Sequence, residues 1–345
     1  MDVGALLVVG FEGNSLPTPL EKALRSGKRG GVILFRRNCV DVAQVEALCS
    51  ATLACHTGLT PIVSVDQEGG RVVRLRAPCL AVPPARKVGS RGPSFVARVA
   101  EAQARELRAL GFNLNFAPVL DIHTNDENPI IGDRAYGTTA EEVASHTEAF
   151  IRGAHTGGML TCGKHFPGHG DTSQDSHLVL PVQQASRELL MAREVEPFRA
   201  AVRAGVDSFM SAHVVYPSLH EDTPATLSPE IATRILRTEL GFEGVLFSDD
   251  LEMKALSDDT GANAIAAIAA GCDLLLVCAT ESRQEAAYEA LAKEVERSEA
   301  FRARVKEALS RAERMRRSIQ PCPSLQGFHL LVEAHASLAS ELEAL

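Results

Sequence analysis

Eight short apolar runs recur along this chain, separated by stretches with helical spacing. They are Ala5–Val9, Gly31–Phe35, Ile62–Val65, Asn113–Phe116, Met159–Cys162, Ser208–Met210, Gly244–Phe247 and Asp273–Val277. Each is too short for a helix, and several are rich in Val, Ile or Phe, which favours strands. The runs are apolar almost throughout rather than alternating, as expected of strands buried on both faces of a parallel sheet. The gaps read as helices over Val40–His56, Phe95–Leu110, Ala140–Thr156, Ser186–Ala204, Pro229–Leu240 and Ala262–Ala270. Several of these stop near a glycine, a common helix terminator. Eight strands alternating with helices predict an α/β fold, a closed (β/α)8 barrel of the TIM type. An open doubly wound sheet is the other arrangement with this alternation.

The 345 residues exceed the ~250 that such a barrel typically needs. The surplus lies at the end. A charged helical stretch runs through Glu281–Arg317, Pro321 and Pro323 break it, and Phe328–Leu345 is again helix-like. These read as the last barrel helix and covering helices from about residue 282, on one catalytic domain over residues 1–345. No run approaches the ~18 apolar residues of a membrane-spanning helix. The formal net charge is −9, with no basic stripe, which argues against nucleic acid and anionic membranes as partners. It does not exclude an anionic small substrate. The eight cysteines include no Cys-x-x-Cys pair and several sit in apolar runs, so they read as reduced, buried residues of a cytoplasmic protein. The N-terminus has a short apolar run, no basic segment and an acidic Asp2, which suits a first strand better than a signal peptide.

In a barrel of this kind the chemistry sits where strands end and loops begin. Strand three ends at Asp66, followed by Gln-Glu-Gly-Gly-Arg with Arg71, and then Arg74. After strand four come Asp121, His123 and Arg134. Strand five runs into Lys164 and His165, strand six into Ser211 and His213, and strand seven ends Ser248-Asp249-Asp250. Carboxylates, cations and imidazoles thus converge on one face. His123 and His213 are candidates to line the pocket, and Asp121 to support it.

The densest stretch is Gly163–His177. His165 and His169 are four apart, a metal-ligand spacing on a helix, but Pro167, Gly168 and Gly170 argue against a helix there. The alternative is an acid/base pair. Asp175 and His177 are two apart and point the same way in extended backbone. A carboxylate beside an imidazole fixes its tautomer and stabilises its charged form, so that it exchanges protons near neutral pH. No metal site is expected.

The segment Lys164–His177, K-H-F-P-G-H-G-x-x-x-x-D-S-H, resembles the signature of the β-N-acetylglucosaminidases in glycoside hydrolase family 3. Val65–Leu75, Asn115–Ile122, Ile131–Gly137 and Phe247–Met253 agree with the same family, in order, across roughly residues 5–280. The resemblance is to the compact cytoplasmic type that removes N-acetylglucosamine from 1,6-anhydro-muropeptides in peptidoglycan recycling. It implies Asp249 as nucleophile, with Asp250 the rival, and His177 as general acid/base oriented by Asp175. It places Asp66, Arg74, Arg134, Lys164 and His165 around the sugar, with His169 bracing the loop. Strand alternation predicts that only one of Asp249 and Asp250 faces the axis. No cofactor is implied, and the expected protein is a monomer acting on a small carbohydrate or muropeptide. Other β-glycoside specificities, phosphorolysis and a non-catalytic sugar-binding barrel are the competing readings.

Overall fold

The computed structural model describes residues 2–56, 58–172, 180–322 and 327–345. Eight parallel strands close into a barrel: β1 (Leu7–Val9), β2 (Gly31–Leu34), β3 (Ile62–Val65), β4 (Leu114–Asn115), β5 (Leu160–Phe166), β6 (Ser208–Ser211), β7 (Val245–Asp250) and β8 (Leu274–Val277). Each pairs with its neighbours in sequence, and β8 closes on β1 through Leu7↔Leu275 and Val9↔Val277. The closed arrangement holds and the open sheet does not.

Successive side chains on each strand take opposite faces. Val8, Ile33, Ile62, Leu114, Leu160, Cys162, Met210, Val245, Phe247, Leu274 and Leu276 fill the barrel interior, joined by Phe116 from just beyond β4. Phe116 and Phe247 meet edge to face with centroids 5.2 Å apart. Their strand neighbours, among them Leu7, Val9, Val32, Leu34, Val63, Val65, Leu246 and Leu275, pack outward against the helices. The barrel is therefore filled rather than hollow, as this fold requires.

Two strands run three or more residues past their apolar runs. β5 continues through Lys164 and His165 to Phe166, and β7 continues through Asp249 and Asp250. The expectation that polar residues end the strands fails because they are satisfied where they stand: Lys164 and His165 are paired with carboxylates, and Asp249 and Asp250 accept backbone N–H groups. The helix over Ala140–Thr156 falls where the spacing placed it, capped by the Thr139 side chain. The stretch expected as one helix over Ser186–Ala204 is divided. Arg187–Leu189 leads into a wider π-helical turn, Leu190–Glu194, and a regular helix resumes over Glu196–Arg203. A short hairpin of Val215–Tyr216 and His220–Pro224 follows β6.

The charged stretch after β8 splits at Ser298. Glu281–Arg297 is the barrel's last helix, and Ser298 caps a second over Glu299–Ser318. Ala312 and Met315 of that second helix join the barrel-interior cluster. Arg316 fastens it by donating to the Thr60 and Leu59 carbonyls at 2.8 and 2.9 Å. The end of the barrel opposite the strand-end charges is thereby closed. Among the described residues no helix is long and apolar enough to cross a membrane.

Candidate active site

The strand ends open into a cavity of about 280 Å³ lined by Asp66, Glu68, Arg74, Arg134, Lys164, His165, His169, Asp249 and Asp250, with apolar walls from residues such as Ile33, Phe35, Met210, Met253 and Leu276. Every sugar-facing residue predicted from the sequence is here. His177 and Asp175 lie outside the described residues. His123 instead meets the exposed Asp126 at 3.3 Å.

One side of the cavity is an ion cluster. Lys164 Nζ lies 2.7 Å from Asp66 Oδ1 and 2.7 Å from Glu68 Oε1. Arg134 grips Glu68 with both Nε and Nη2 at 2.8 Å, and Arg74 Nη2 reaches Asp66 Oδ2 at 3.2 Å. Burial works to raise the Glu68 carboxyl, but Arg134 and Lys164 outweigh it and hold it well below the usual carboxylate range. Burial works to neutralise Lys164, and Asp66 and Glu68 outweigh that. Glu68 and Lys164 thus stay charged, and the cluster's cations can donate to sugar hydroxyls. Glu68 was not singled out from the sequence, although it follows Asp66 by two residues. Its only signal was the Glu-Gly-Gly-Arg turn itself, in which Gly69 and Gly70 take left-handed conformations, φ +120° and +55°.

The two histidines of β5 and its turn are each committed. Asp121 is fully buried and accepts from His165 Nδ1 at 2.7 Å and from the His169 backbone N–H at 2.7 Å. This bears out its supporting position. Bonding of Nδ1 to Asp121 turns His165 Nε2 toward the cavity. His169 Nδ1 bonds Thr172 Oγ1 at 2.8 Å, and burial pushes its imidazole down to about 4. Among the described residues no group of His, Cys, Asp and Glu side chains is arranged to hold a metal ion.

At the end of β7 both carboxylates line the cavity, contrary to simple alternation. The register between β7 and β8 shifts, with Leu274 opposite Phe247 but Leu276 opposite Asp250. Such a bulge re-aims side chains. The two groups differ in what they hold. Asp250 Oδ1 accepts the Glu252 and Cys278 backbone N–H groups at 3.1 and 3.2 Å, so it braces the β7 and β8 loops. Burial pushes its carboxyl up to about 7, with Glu252 and Asp249 adding to the rise. Asp249 accepts the Asp250 N–H at 2.8 Å. Burial would raise it too, but His213, His165, that N–H and Lys164 outweigh burial and keep it below the usual range. Asp249 is the ionised one of the pair. His213 lies behind them, with Nε2 3.0 Å from the Asp250 carbonyl and Nδ1 2.7 Å from Thr226 Oγ1.

A second titratable group sits beneath the turn after β5. Gly168 has φ +130°, and a side chain there would stand 2.8 Å from Glu194 Cβ. Glu194 is fully buried, with Oε1 paired to Arg193 Nε at 2.6 Å and Oε2 without a partner. Burial pushes its carboxyl up to about 7. The unfolded chain holds such a proton only below ~4.3, so the native state binds it more tightly between those values and stability falls as pH rises through that window. Glu194→Gln is expected to flatten the dependence and to be the more stable form at about pH 8. Thermal unfolding of both proteins at about pH 5 and about pH 8 checks this, and parallel shifts would contradict it.

The sequence matches the N-terminal domain of glycosyl hydrolase family 3 over residues 2–315. A β-hexosaminidase of Methylococcus capsulatus is 41% identical over 268 residues, 76% of this chain and 79% of its own. Among solved structures, a family 3 β-N-acetylglucosaminidase from Paenibacillus superposes with a TM-score of 0.86 at 38% identity, covering 96% of this chain and 67% of that one. Native NagZ from Neisseria gonorrhoeae superposes with a TM-score of 0.81 at 31% identity, covering 97% of each chain.

Proposed function

The chain belongs to glycosyl hydrolase family 3 and is a glycoside hydrolase of its β-N-acetylhexosaminidase branch, and from this we propose that it removes terminal β-linked N-acetylglucosamine with retention of configuration. The observation that carries the reading is Asp249, an ionised carboxylate in a cavity about 280 Å³ in volume, opposite a charged cluster from other strands. That volume falls at the lower edge of the ~300–1,000 Å³ typical of ligand pockets and suits a single sugar.

In the first step Asp249 attacks the anomeric carbon. The bond to the leaving oxygen breaks, its electron pair stays on that oxygen, and the oxygen takes a proton from His177. In the second step water gives a proton to the now neutral His177, attacks the same carbon and displaces Asp249. Two inversions give net retention. Most retaining glycosidases use a carboxylic acid as the proton donor; here the reading assigns an imidazole, supported by Asp175. Asp66, Arg74, Arg134, Lys164 and His165 bind the hydroxyls. The natural substrate in this reading is a 1,6-anhydro-muropeptide, cleaved by a cytoplasmic monomer during peptidoglycan recycling.

The expected result is hydrolysis of p-nitrophenyl N-acetyl-β-glucosaminide well ahead of the β-glucoside, unchanged by EDTA, with the β-anomer of the free sugar appearing first. Equal cleavage of the glucoside would overturn the specificity, and loss of activity with EDTA would overturn the metal-free mechanism. A sugar 1-phosphate as product in phosphate buffer would replace hydrolysis by phosphorolysis.

A further inference from the structure

Asp175 and His177 stand in the sequence between Thr172 and Leu180, and the described stems on both sides of that segment are tied down. On the leading side the Gly168 carbonyl accepts the Tyr216 hydroxyl at 2.6 Å. Asn128 Nδ2 donates to the His169 and Gly170 carbonyls at 2.9 and 3.1 Å. On the returning side Val215 donates to the Pro181 carbonyl at 2.9 Å, and Gln183 donates to the Val215 carbonyl at 2.9 Å. This places the stem alongside the hairpin.

Among the described residues, Asp171 joins the two stems to each other. Asp171 Oδ2 accepts from Gln183 Nε2 at 3.2 Å and from Arg193 Nη2 at 2.6 Å. Arg193 is anchored in turn by Glu194, whose Oε1 lies 2.6 Å from its Nε. Both come from the π-helical turn Leu190–Glu194, and such turns recur at functional sites. Gln183 is held from its other end, since its Oε1 accepts the Ala185 N–H at 2.7 Å.

We infer that Arg193, through Asp171 and Gln183, is a positioning residue for the acid/base step: it fixes the distance between the two ends of the segment bearing His177. The inference rests on the reading of His177 as the acid/base. Arg193 touches no cavity-lining residue in this network, and it acts through the stems. A charged fork held at both ends suits this task better than a lysine, which offers one point charge.

The test uses two N-acetyl-β-glucosaminides that differ in the leaving group, one a poor leaving group needing protonation and one a dinitrophenolate that does not. His177→Ala sets the reference: a loss on the order of 10²–10⁴-fold in kcat/KM on the poor leaving group and a much smaller loss on the dinitrophenyl substrate. Arg193→Ala is expected to show the same selectivity at smaller size, about tenfold or more, with Arg193→Lys recovering only part. Asp171→Asn and Gln183→Ala, which leave Glu194 and Arg193 paired, are expected to follow the same pattern and guard against a misfolded Arg193→Ala. If His177→Ala lacks the leaving-group signature, the acid/base reading fails. If His177→Ala shows it while Arg193→Ala, Asp171→Asn and Gln183→Ala slow both substrates equally or not at all, the positioning role fails.

Discussion

Asp249→Ala is expected to lower kcat/KM on the p-nitrophenyl N-acetyl-β-glucosaminide on the order of 10⁴-fold or more, the scale seen when a covalent nucleophile is removed. The protein should remain folded, because among the described residues Asp249 holds only one local backbone N–H. Added azide should restore part of the activity and give the glycosyl azide of inverted configuration, since a small anion then attacks from the face the carboxylate vacates. Asp250→Asn is the matching control. Its oxygen holds the loops after β7 and β8 together, and an amide oxygen can still accept both bonds. It should cost far less, and it should also move any basic limb of the rate profile that reflects a carboxyl pushed up to about 7. A larger loss for Asp250→Asn than for Asp249→Ala would reverse the assignment of the two.

Glu68→Ala is expected to harm both stability and binding. Among the described residues Arg134 would keep only the Ile130 carbonyl at 3.1 Å, and Lys164 only Asp66. Leaving a buried charge uncompensated costs about 3–5 kcal/mol, read directly by denaturant unfolding. The pH dependence has a definite sign. Glu68 is held below its unfolded value of ~4.3, so its contribution is complete above that pH and is lost as pH falls further. The wild type should therefore lose stability faster than the variant on acidification. Catalytically, Lys164 and Arg134 would lose their fixed directions, and the loss should fall on KM and kcat together. A variant as stable as the wild type would show that the cluster's desolvation cost equals its attraction.

Much of this was legible in the sequence, because its signals are local. Eight buried strands leave eight apolar runs, and the chemistry of a barrel collects at their ends, so Asp66, Lys164 and Asp249 were found from position alone. Arg74 and Arg134 were also noticed after strand ends, but their role around the sugar, and the choice of Asp249 over Asp250, needed the family resemblance, since loops have no period to aim a side chain. Glu68 was passed over because its partners, Lys164 and Arg134, are remote in the chain, and an ion cluster has no spacing rule. The same limit hid the bulge in β7. Alternation is a property of regular strands, and the register shift that lets both Asp249 and Asp250 face the cavity arises from pairing with β8. The π-helical turn over Leu190–Glu194 reads as ordinary helix, since one residue added to a turn leaves the apolar pattern almost intact.

The filled interior and the helix over Glu299–Ser318 make the barrel a socket with one mouth. A glycan cannot thread through it, so in the reading proposed above a terminal unit enters by the mouth and leaves by it. An enzyme acting in this way reads the number of chain ends in its surroundings, not the mass of polymer. Cutting a glycan internally into ten pieces would raise its supply of substrate tenfold without adding a single sugar, which ties its output to whichever activity creates new ends.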